Sequence, residues 1–138
     1  IMEREDLNFL LQNAPAGEIC ELCKQIKARA TVKVIQKPTP QTLLVPVKDP
    51  INGGEFLGGE VLVTSAIVHV DGNNGWAMVM DDKPEMAIDL AIIDGAFGAG
   101  ICVDDIVRVG ELGRWAYNAE KHKLNGQVAS TRVAFDLL

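Results

Sequence analysis

Two cysteines in the segment Cys20-Glu21-Leu22-Cys23 are the residues of this chain whose spacing best suits metal chemistry. Thiolates three positions apart can hold one zinc ion, but a structural zinc site needs four ligands, and no second pair is present. The remaining donors are His69, His122 and Cys102. On a helix both thiols would lie near the apolar stripe, so the pattern favours core packing over a metal site.

Three further side chains have types that suit acid–base chemistry. His69 alternates with apolar neighbours, and as an acid or base it would need a carboxylate such as Glu60 or Asp94 beside it. The alternative is a cross-strand histidine with a structural role. Asp89 and Asp94 lie in an otherwise apolar segment, where an ionised carboxylate must be paired or hydrogen-bonded. Five residues apart on a helix, they would point about 140° apart, so we expect salt bridges to the sheet or to a partner.

The glycine pairs Gly53-Gly54 and Gly58-Gly59 suggest a phosphate-binding loop. Neither pair leads into a helix N-terminus, and no Lys-Ser or Lys-Thr follows in P-loop register. Glycines at the start of a strand are more typical of a bulge or of a close backbone approach.

The elements that position these residues begin with four predicted helices. Apolar spacing predicts helices over residues 3–12 and 16–28, a third from Pro84 capped by Asp81 or Asp82, and a fourth from Asp104 to a stop at Asn125-Gly126. The third is apolar on nearly every side and is therefore expected to be buried. Its small residues Ala87, Ala91 and Gly95 should let the sheet or a partner chain approach closely.

The remaining segments of the chain are predicted to form strands. Residues 31–36 and 43–47 are read as two strands joined by a turn at Pro38–Gln41, with the second an edge or bulged strand because of Pro46. Residues 60–70 and 76–80 form a hairpin across the turn at 71–75, and residues 129–137 alternate as a last strand. On that strand Arg132 would present its guanidinium to a carboxylate or phosphate, or simply to solvent.

These elements predict an α+β fold, in which the two N-terminal helices, the central helix and the helix before the last strand pack on an antiparallel sheet of about five strands. At 138 residues the chain has the size of one domain, residues 1–138, and can bury a core without disulfides.

Charge and hydropathy bear on the class of partner and on location. A net charge of −6, with 13 basic residues scattered among 19 acidic ones, argues against nucleic acid. No apolar run is long enough to span a bilayer, and residues 1–6 lack the features of a signal peptide. We therefore expect a cytoplasmic protein with reduced cysteines and no membrane association.

The order and spacing of several motifs resemble the G subunit of the bacterial carbon-phosphorus lyase core complex, the PhnG family of phosphonate catabolism. These motifs are Phe56-Leu57-Gly58-Gly59-Glu60 leading to Thr64, Trp76 after the turn glycine, Ala87 with Ala91 and Asp94, and Thr131-Arg132-Val133 followed by Phe135. The resemblance covers residues 14–138. The chain departs from it at Asp81-Asp82-Lys83, where Gly-Arg-Asp is expected.

The resemblance implies a required, non-catalytic subunit that acts with sibling H, I and J subunits. The implied reaction replaces the adenine of ATP with a phosphonate, and the I subunit is regarded as carrying that chemistry. ATP and the phosphonate are substrates of the whole complex, and no cofactor or metal is expected on this chain. The candidate interface or phosphate-contact residues are Arg132, Thr131, Val133, Phe135, Gly58, Gly59, Glu60, Thr64 and Asp94, and none is assigned a catalytic role.

Two other hypotheses remain open from the sequence. One is a free-standing homo-oligomer, such as a homodimer of the isolated chain, that binds a small molecule. The other is an enzyme that uses His69 with Glu60 or Asp94.

Overall fold

The computed structural model of the chain describes residues 2–48 and 55–136, with side chains for residues 2–44 and 59–123. Its elements in chain order are α1 (Arg4–Gln12), α2 (Ala16–Arg29), β1 (Val32–Lys48), β2 (Glu55–Val70), β3 (Asn73–Met80), α3 (Pro84–Ala99) and α4 (Val103–Asp136). The strands form one antiparallel sheet in the order β1-β2-β3. The α+β class is confirmed, whereas the sheet has three described strands and not five.

The two N-terminal helices lie where their apolar periodicity predicts them. In α1 the buried residues are Leu7, Leu10 and Leu11. In α2 the stripe of Ile19, Leu22, Cys23 and Ile26 is buried. Cys20, one position off that stripe, is exposed, so the expectation that both thiols pack in the core holds only for Cys23.

The predicted turn at Pro38–Gln41 is wrong, because β1 runs through it as a single strand. Its pairing with β2 shifts register between Val34 and Gln36, between Gln36 and Thr39, and between Val45 and Pro46. These irregularities accommodate the prolines, which cannot donate to a ladder and are tolerated on an edge strand. The edge or bulged character expected from Pro46 is confirmed.

The β2–β3 hairpin closes with a tighter turn than the predicted residues 71–75. Asp71 and Gly72 both have positive φ values, 49° and 82°, as the central residues of a type I′ turn do. The Thr31 N–H donates to Asp71 Oδ1 at 2.7 Å, and the Asp71 N–H donates to the Thr31 carbonyl at 2.9 Å. The turn is thereby fastened to the start of β1.

Helix α3 packs its small residues directly on β3. Gly95 lies so close to the sheet that a Cβ on it would come within 2.7 Å of Val70 Cγ2 and 3.3 Å of Gly75 Cα. Seen from the sheet, a Cβ on Gly75 of β3 would run into the backbone of Ala91 and Gly95 in α3. The gap left by the small-residue face is therefore filled by the sheet of the same chain.

The start of α3 differs from the predicted Asp81 or Asp82 cap. The N-cap position is Lys83, and no side chain caps it. Instead, the Thr64 hydroxyl donates to the Asp81 carbonyl at 2.6 Å and accepts the Lys83 N–H at 3.0 Å. Asp81 has a φ of 68°, and this left-handed residue turns the chain out of β3 towards the helix.

The C-terminal strand predicted over residues 129–137 is wrong, since α4 continues as a helix from Val103 to Asp136 and does not stop at Asn125-Gly126. Val128, Thr131 and Phe135 also stand at i, i+3 and i+7, so the segment satisfies the helical period as well as the period of two. A single glycine such as Gly126 weakens a helix without ending it. Residues 137 and 138 lie outside the described residues.

The core is one cluster between the helices and one face of the sheet. It includes Leu11 of α1, Ile26 of α2, Val68 and Val79 of the sheet, the middle of α3, and Ile106 and Val109 of α4. The other face of the sheet points away from α3 and bears part of the candidate site.

Candidate interaction surface and the sheet edges

Asp94 of α3 binds three N–H groups at the outer edge of β3. Its Oδ1 accepts from Arg4 Nε at 2.9 Å, and its Oδ2 accepts from Arg4 Nη2 at 3.1 Å and from the Trp76 backbone N–H at 2.9 Å. The pair with Arg4 is bidentate, the strong form of such a contact. Asp94 therefore forms its salt bridge with Arg4 of α1, and not with the sheet or a partner as expected; its contact with the sheet is the hydrogen bond from the Trp76 N–H.

Side chains of α1 bind the next backbone groups along the same edge. Asn8 Nδ2 donates to the Met78 carbonyl at 2.9 Å, and the Met78 N–H donates to Asn8 Oδ1 at 3.3 Å. Gln12 Nε2 also donates to the Met78 carbonyl, at 3.3 Å. Arg4 Nη2 donates to the Asn74 carbonyl.

The edge of β3 is therefore closed to another strand over residues 74–78. Side chains occupy the Asn74 carbonyl, the Trp76 N–H and both backbone groups of Met78, which disrupts the template for strand pairing. The opposite edge of the sheet is β1, whose prolines and register shifts make regular pairing with a further strand unfavourable.

Beyond β3, the β1–β2 ribbon continues as two strands, which we call the arm: residues 42–48 and 55–62. Pairing with β3 begins at Val63, opposite Met80, whereas pairing of β1 with β2 continues to Lys48 opposite Glu55. Within the described sheet, each strand of the arm therefore pairs only with the other strand of the arm.

The arm has apolar side chains on both faces, with the polar Thr42 and Glu60 on one of them. Leu43 is paired with Val61, Thr42 with Leu62, and Leu44 with Glu60. By strand alternation, Leu43 and Val61 share the face away from α3, and Leu44 and Leu62 share the other. Leu44 is 60% exposed and Leu62 is 44% exposed. Apolar residues on both faces are typical of strands that are covered on both sides.

A groove of about 600 Å³ lies at the base of the arm, between α1 and the sheet face that points away from α3. Its apolar lining includes Phe9, Leu43, Val61, Val63, Met78 and Met80. Phe9 is held by an edge-to-face contact with Tyr117 of α4, with ring centroids 4.9 Å apart. Trp115 of α4, which is not part of the groove lining, is 73% exposed.

The residues proposed from the sequence as interface or phosphate contacts lie in different places. Glu60 is exposed on the arm, Gly59 is beside it, and Gly58 belongs to the same strand. Thr64 is fully buried and hydrogen-bonded to the start of α3. The backbone of Thr131, Arg132, Val133 and Phe135 is helical, and their side chains lie outside the described ones.

The acid–base set considered for His69 is not brought together. Glu60 precedes His69 by nine positions on β2, which separates them by about 30 Å along the strand. The hydrogen bonds of Asp94 run to Arg4 and Trp76. His69 is paired with Lys33 of β1 and Asn74 of β3.

The thiol of Cys23 and the carboxyl of Asp89 lie between α2 and α3. Cys23 Sγ donates to the Asp89 backbone carbonyl at 3.4 Å. Burial raises the pKa of the Cys23 thiol, with a further contribution from the negative charge of Asp89. Burial also raises the pKa of Asp89, against an opposing attraction from Lys27. Both environments therefore disfavour the charged form, and a protonated thiol is a poor nucleophile.

Among the described residues, no group of three His, Cys, Asp or Glu side chains is placed to hold a metal ion. None of the described helices is both long and apolar enough to cross a membrane.

Arg4, Asn8 and Gln12 are the site residues that sequence reasoning missed. They stand four positions apart on α1 and therefore form one polar line along the helix, beside its buried leucines. This polar line was the sequence feature that could have indicated these residues. Their role in binding the β3 edge could not be predicted, because only the tertiary structure places that edge beside α1.

Comparison with protein families gives one result for the whole chain. A family model described as phosphonate metabolism protein PhnG matches residues 2–138. Comparison with curated proteins gives no significant match.

Proposed function

The chain belongs to the PhnG family of phosphonate metabolism proteins, and from this premise we propose that it is a required, non-catalytic subunit of the carbon-phosphorus lyase core complex. In this proposal the complex displaces adenine from ATP with a phosphonate, in the cytoplasm, where ATP is available. The partners are sibling subunits of the H, I and J type, and the reacting groups are held by a sibling.

The observation that best supports a partner-binding role is the arm. Leu44 and Leu62 leave apolar surface exposed on one face, and Leu43 and Val61 line a groove on the other. Exposed apolar surface of this kind marks protein–protein contacts. Trp115 adds an exposed aromatic side chain, a residue type that often dominates binding energy at interfaces.

We assign the chemistry of the transferase to siblings because the polar side chains considered for chemistry in this chain have structural contacts or lie apart. Asp94 closes the β3 edge, and Thr64 fixes the start of α3. Glu60 and His69 are far apart on one strand. These placements support a subunit that shapes the assembly.

The test is co-expression of the chain with its I-type sibling, followed by measurement of the native mass of the purified product. We expect a stable hetero-oligomer of the two subunits, and we expect phosphonate-dependent release of adenine from ATP to require this chain. A chain that ignores its siblings and retains a small molecule as a homo-oligomer would replace the proposal with the free-standing binding protein.

A further inference from the structure

Strand β3 ends at Met80, whereas its neighbour β2 extends further in the same direction as part of the arm. The last ladder contact between them is the Asp81 N–H donating to the Leu62 carbonyl at 2.8 Å. At Asp81 the positive φ turns the chain towards α3. Residues 55–62 of β2 continue past the end of β3, and no strand of the described sheet lies beside them there; we call this position the lane.

The backbone direction of β2 follows from that last contact. Because the Leu62 carbonyl points into the lane, strand alternation directs the N–H and carbonyl of Glu60 into it as well. Val61 points the other way, towards its partner Leu43 on β1. None of the described side chains hydrogen-bonds to the Glu60 backbone.

This edge contrasts with the other two edges of the sheet. Side chains occupy the outward groups of β3 at Asn74, Trp76 and Met78. Prolines and register shifts interrupt β1 outside residues 41–45. The chain therefore hinders strand addition along most of these edges, whereas the Glu60 N–H and carbonyl face the lane within the regularly paired residues 59–62 of β2.

We propose that the lane receives an extended segment of a sibling subunit, which pairs with β2 as an added strand; this inference rests on the proposed function. Alternate apolar side chains of that segment enter the groove formed by Phe9, Val61 and Met80. Main-chain hydrogen bonds supply affinity in this binding mode, and side-chain pockets supply specificity.

The charges around the lane favour a different chain over a second copy of this one. Glu60, Asp81 and Asp82 are exposed at its borders, and the whole chain carries a net charge of −6. Two copies paired in their lanes would bring these carboxylates together, which is unfavourable. The added segment is therefore expected to carry Lys or Arg beside its apolar residues.

Amide hydrogen exchange tests the inference without any substitution. The chain alone and its co-purified complex with the sibling subunits are compared by mass spectrometry at single-residue resolution. We expect the Glu60 amide to exchange at least tenfold more slowly in the complex, and the Val61 amide to be protected in both. A Glu60 amide that exchanges equally fast in an intact complex would overturn the strand addition and leave the proposed function standing. Failure of any complex to form would overturn both.

Two substitutions at Glu60 test separately how its backbone N–H and its carboxylate contribute to sibling binding. Glu60→Pro removes the lane-facing N–H without removing a bond to β1, whereas Glu60→Ala removes only the carboxylate. We expect at least tenfold weaker sibling binding for Glu60→Pro and a change below about threefold for Glu60→Ala, with little change in Tm for either. Wild-type affinity in a folded Glu60→Pro chain would contradict the added strand. If that variant does not fold, the exchange measurement decides alone.

Discussion

At the scale of single residues, Asp94 accepts three hydrogen bonds, from Arg4 and from the Trp76 N–H. Removing its carboxylate leaves the Trp76 N–H without this acceptor and, among the described residues, leaves Arg4 with only its bond to the Asn74 carbonyl. We expect Asp94→Ala to lower the free energy of unfolding by about 2 kcal/mol, the range for hydrogen bonds to charged groups.

Urea denaturation measures this loss, and Glu111→Ala is the matched control. Glu111 pairs with Arg114 at 3.5 Å on the surface of α4, where such pairs contribute less than about 0.5 kcal/mol. Equal effects of the two substitutions would mean that closing the β3 edge adds nothing to stability.

Asp89 gives a pH-dependent prediction at the same scale. Because burial raises its pKa in the folded chain, the folded state binds this proton more tightly than the unfolded chain does. The cost of ionising Asp89 is absent below the pKa of the unfolded chain, grows as pH rises from that value to the raised pKa of the folded chain, and is complete above it. We expect Asp89→Asn to have a higher Tm than the wild type at pH 7, with the difference shrinking near pH 4. A constant difference across this range would contradict the assignment.

At the scale of elements, the contact between α3 and β3 depends on glycine. A Cβ at Gly75 would lie 2.7 Å from the Gly95 nitrogen and against other backbone of α3. Since backbone cannot rotate away, we expect Gly75→Ala to destabilise the fold by about 3 kcal/mol. Gly17→Ala is the control, because nothing lies within 4 Å of a Cβ there, and alanine favours the helix. Chemical denaturation of both variants gives the comparison, and equal stabilities would rule out the tight contact.

The elements also show how far the sequence could be interpreted. Helices α1 and α2 and the β2–β3 hairpin were predictable because apolar period and turn residues agreed there, and α3 was predictable from its apolar run after Pro84. The path of β1 was not, because proline is typical both of a turn and of a bulged edge strand, and only pairing with β2 decides between them. In the candidate site, a contact of Asp94 with the sheet was one of two predicted alternatives, whereas its salt bridge to Arg4 of α1 was not predicted. The contribution of Asn8 was not predicted either, because it requires knowing which strand lies beside α1.

At the scale of the whole molecule, the packed α/β body and the arm have different surfaces. Leu44 on the arm and Ile35 in the body part of β1 are exposed to similar extents, 60% and 54%. A glutamate at either position should therefore leave the free chain folded. If the arm binds siblings, we expect Leu44→Glu to abolish the hetero-oligomer and Ile35→Glu to retain it.

Size-exclusion chromatography with light scattering, after co-expression with the I-type sibling, distinguishes these outcomes. Circular dichroism of each isolated variant checks that it is folded. Retention of the hetero-oligomer by Leu44→Glu would remove the arm from the interface and direct attention to Trp115.

If the chain assembles with siblings as proposed, the arm has a consequence for its supply in the cell. A copy synthesised without its siblings would show both apolar faces of the arm to other proteins, and orphan copies would be targets for chaperones and proteases. Synthesis of the siblings in matching amounts would cover the arm and thereby protect the chain from chaperones and proteases. Overproduction of this subunit alone would accordingly give a lower soluble yield per transcript than production at the ratio of the complex.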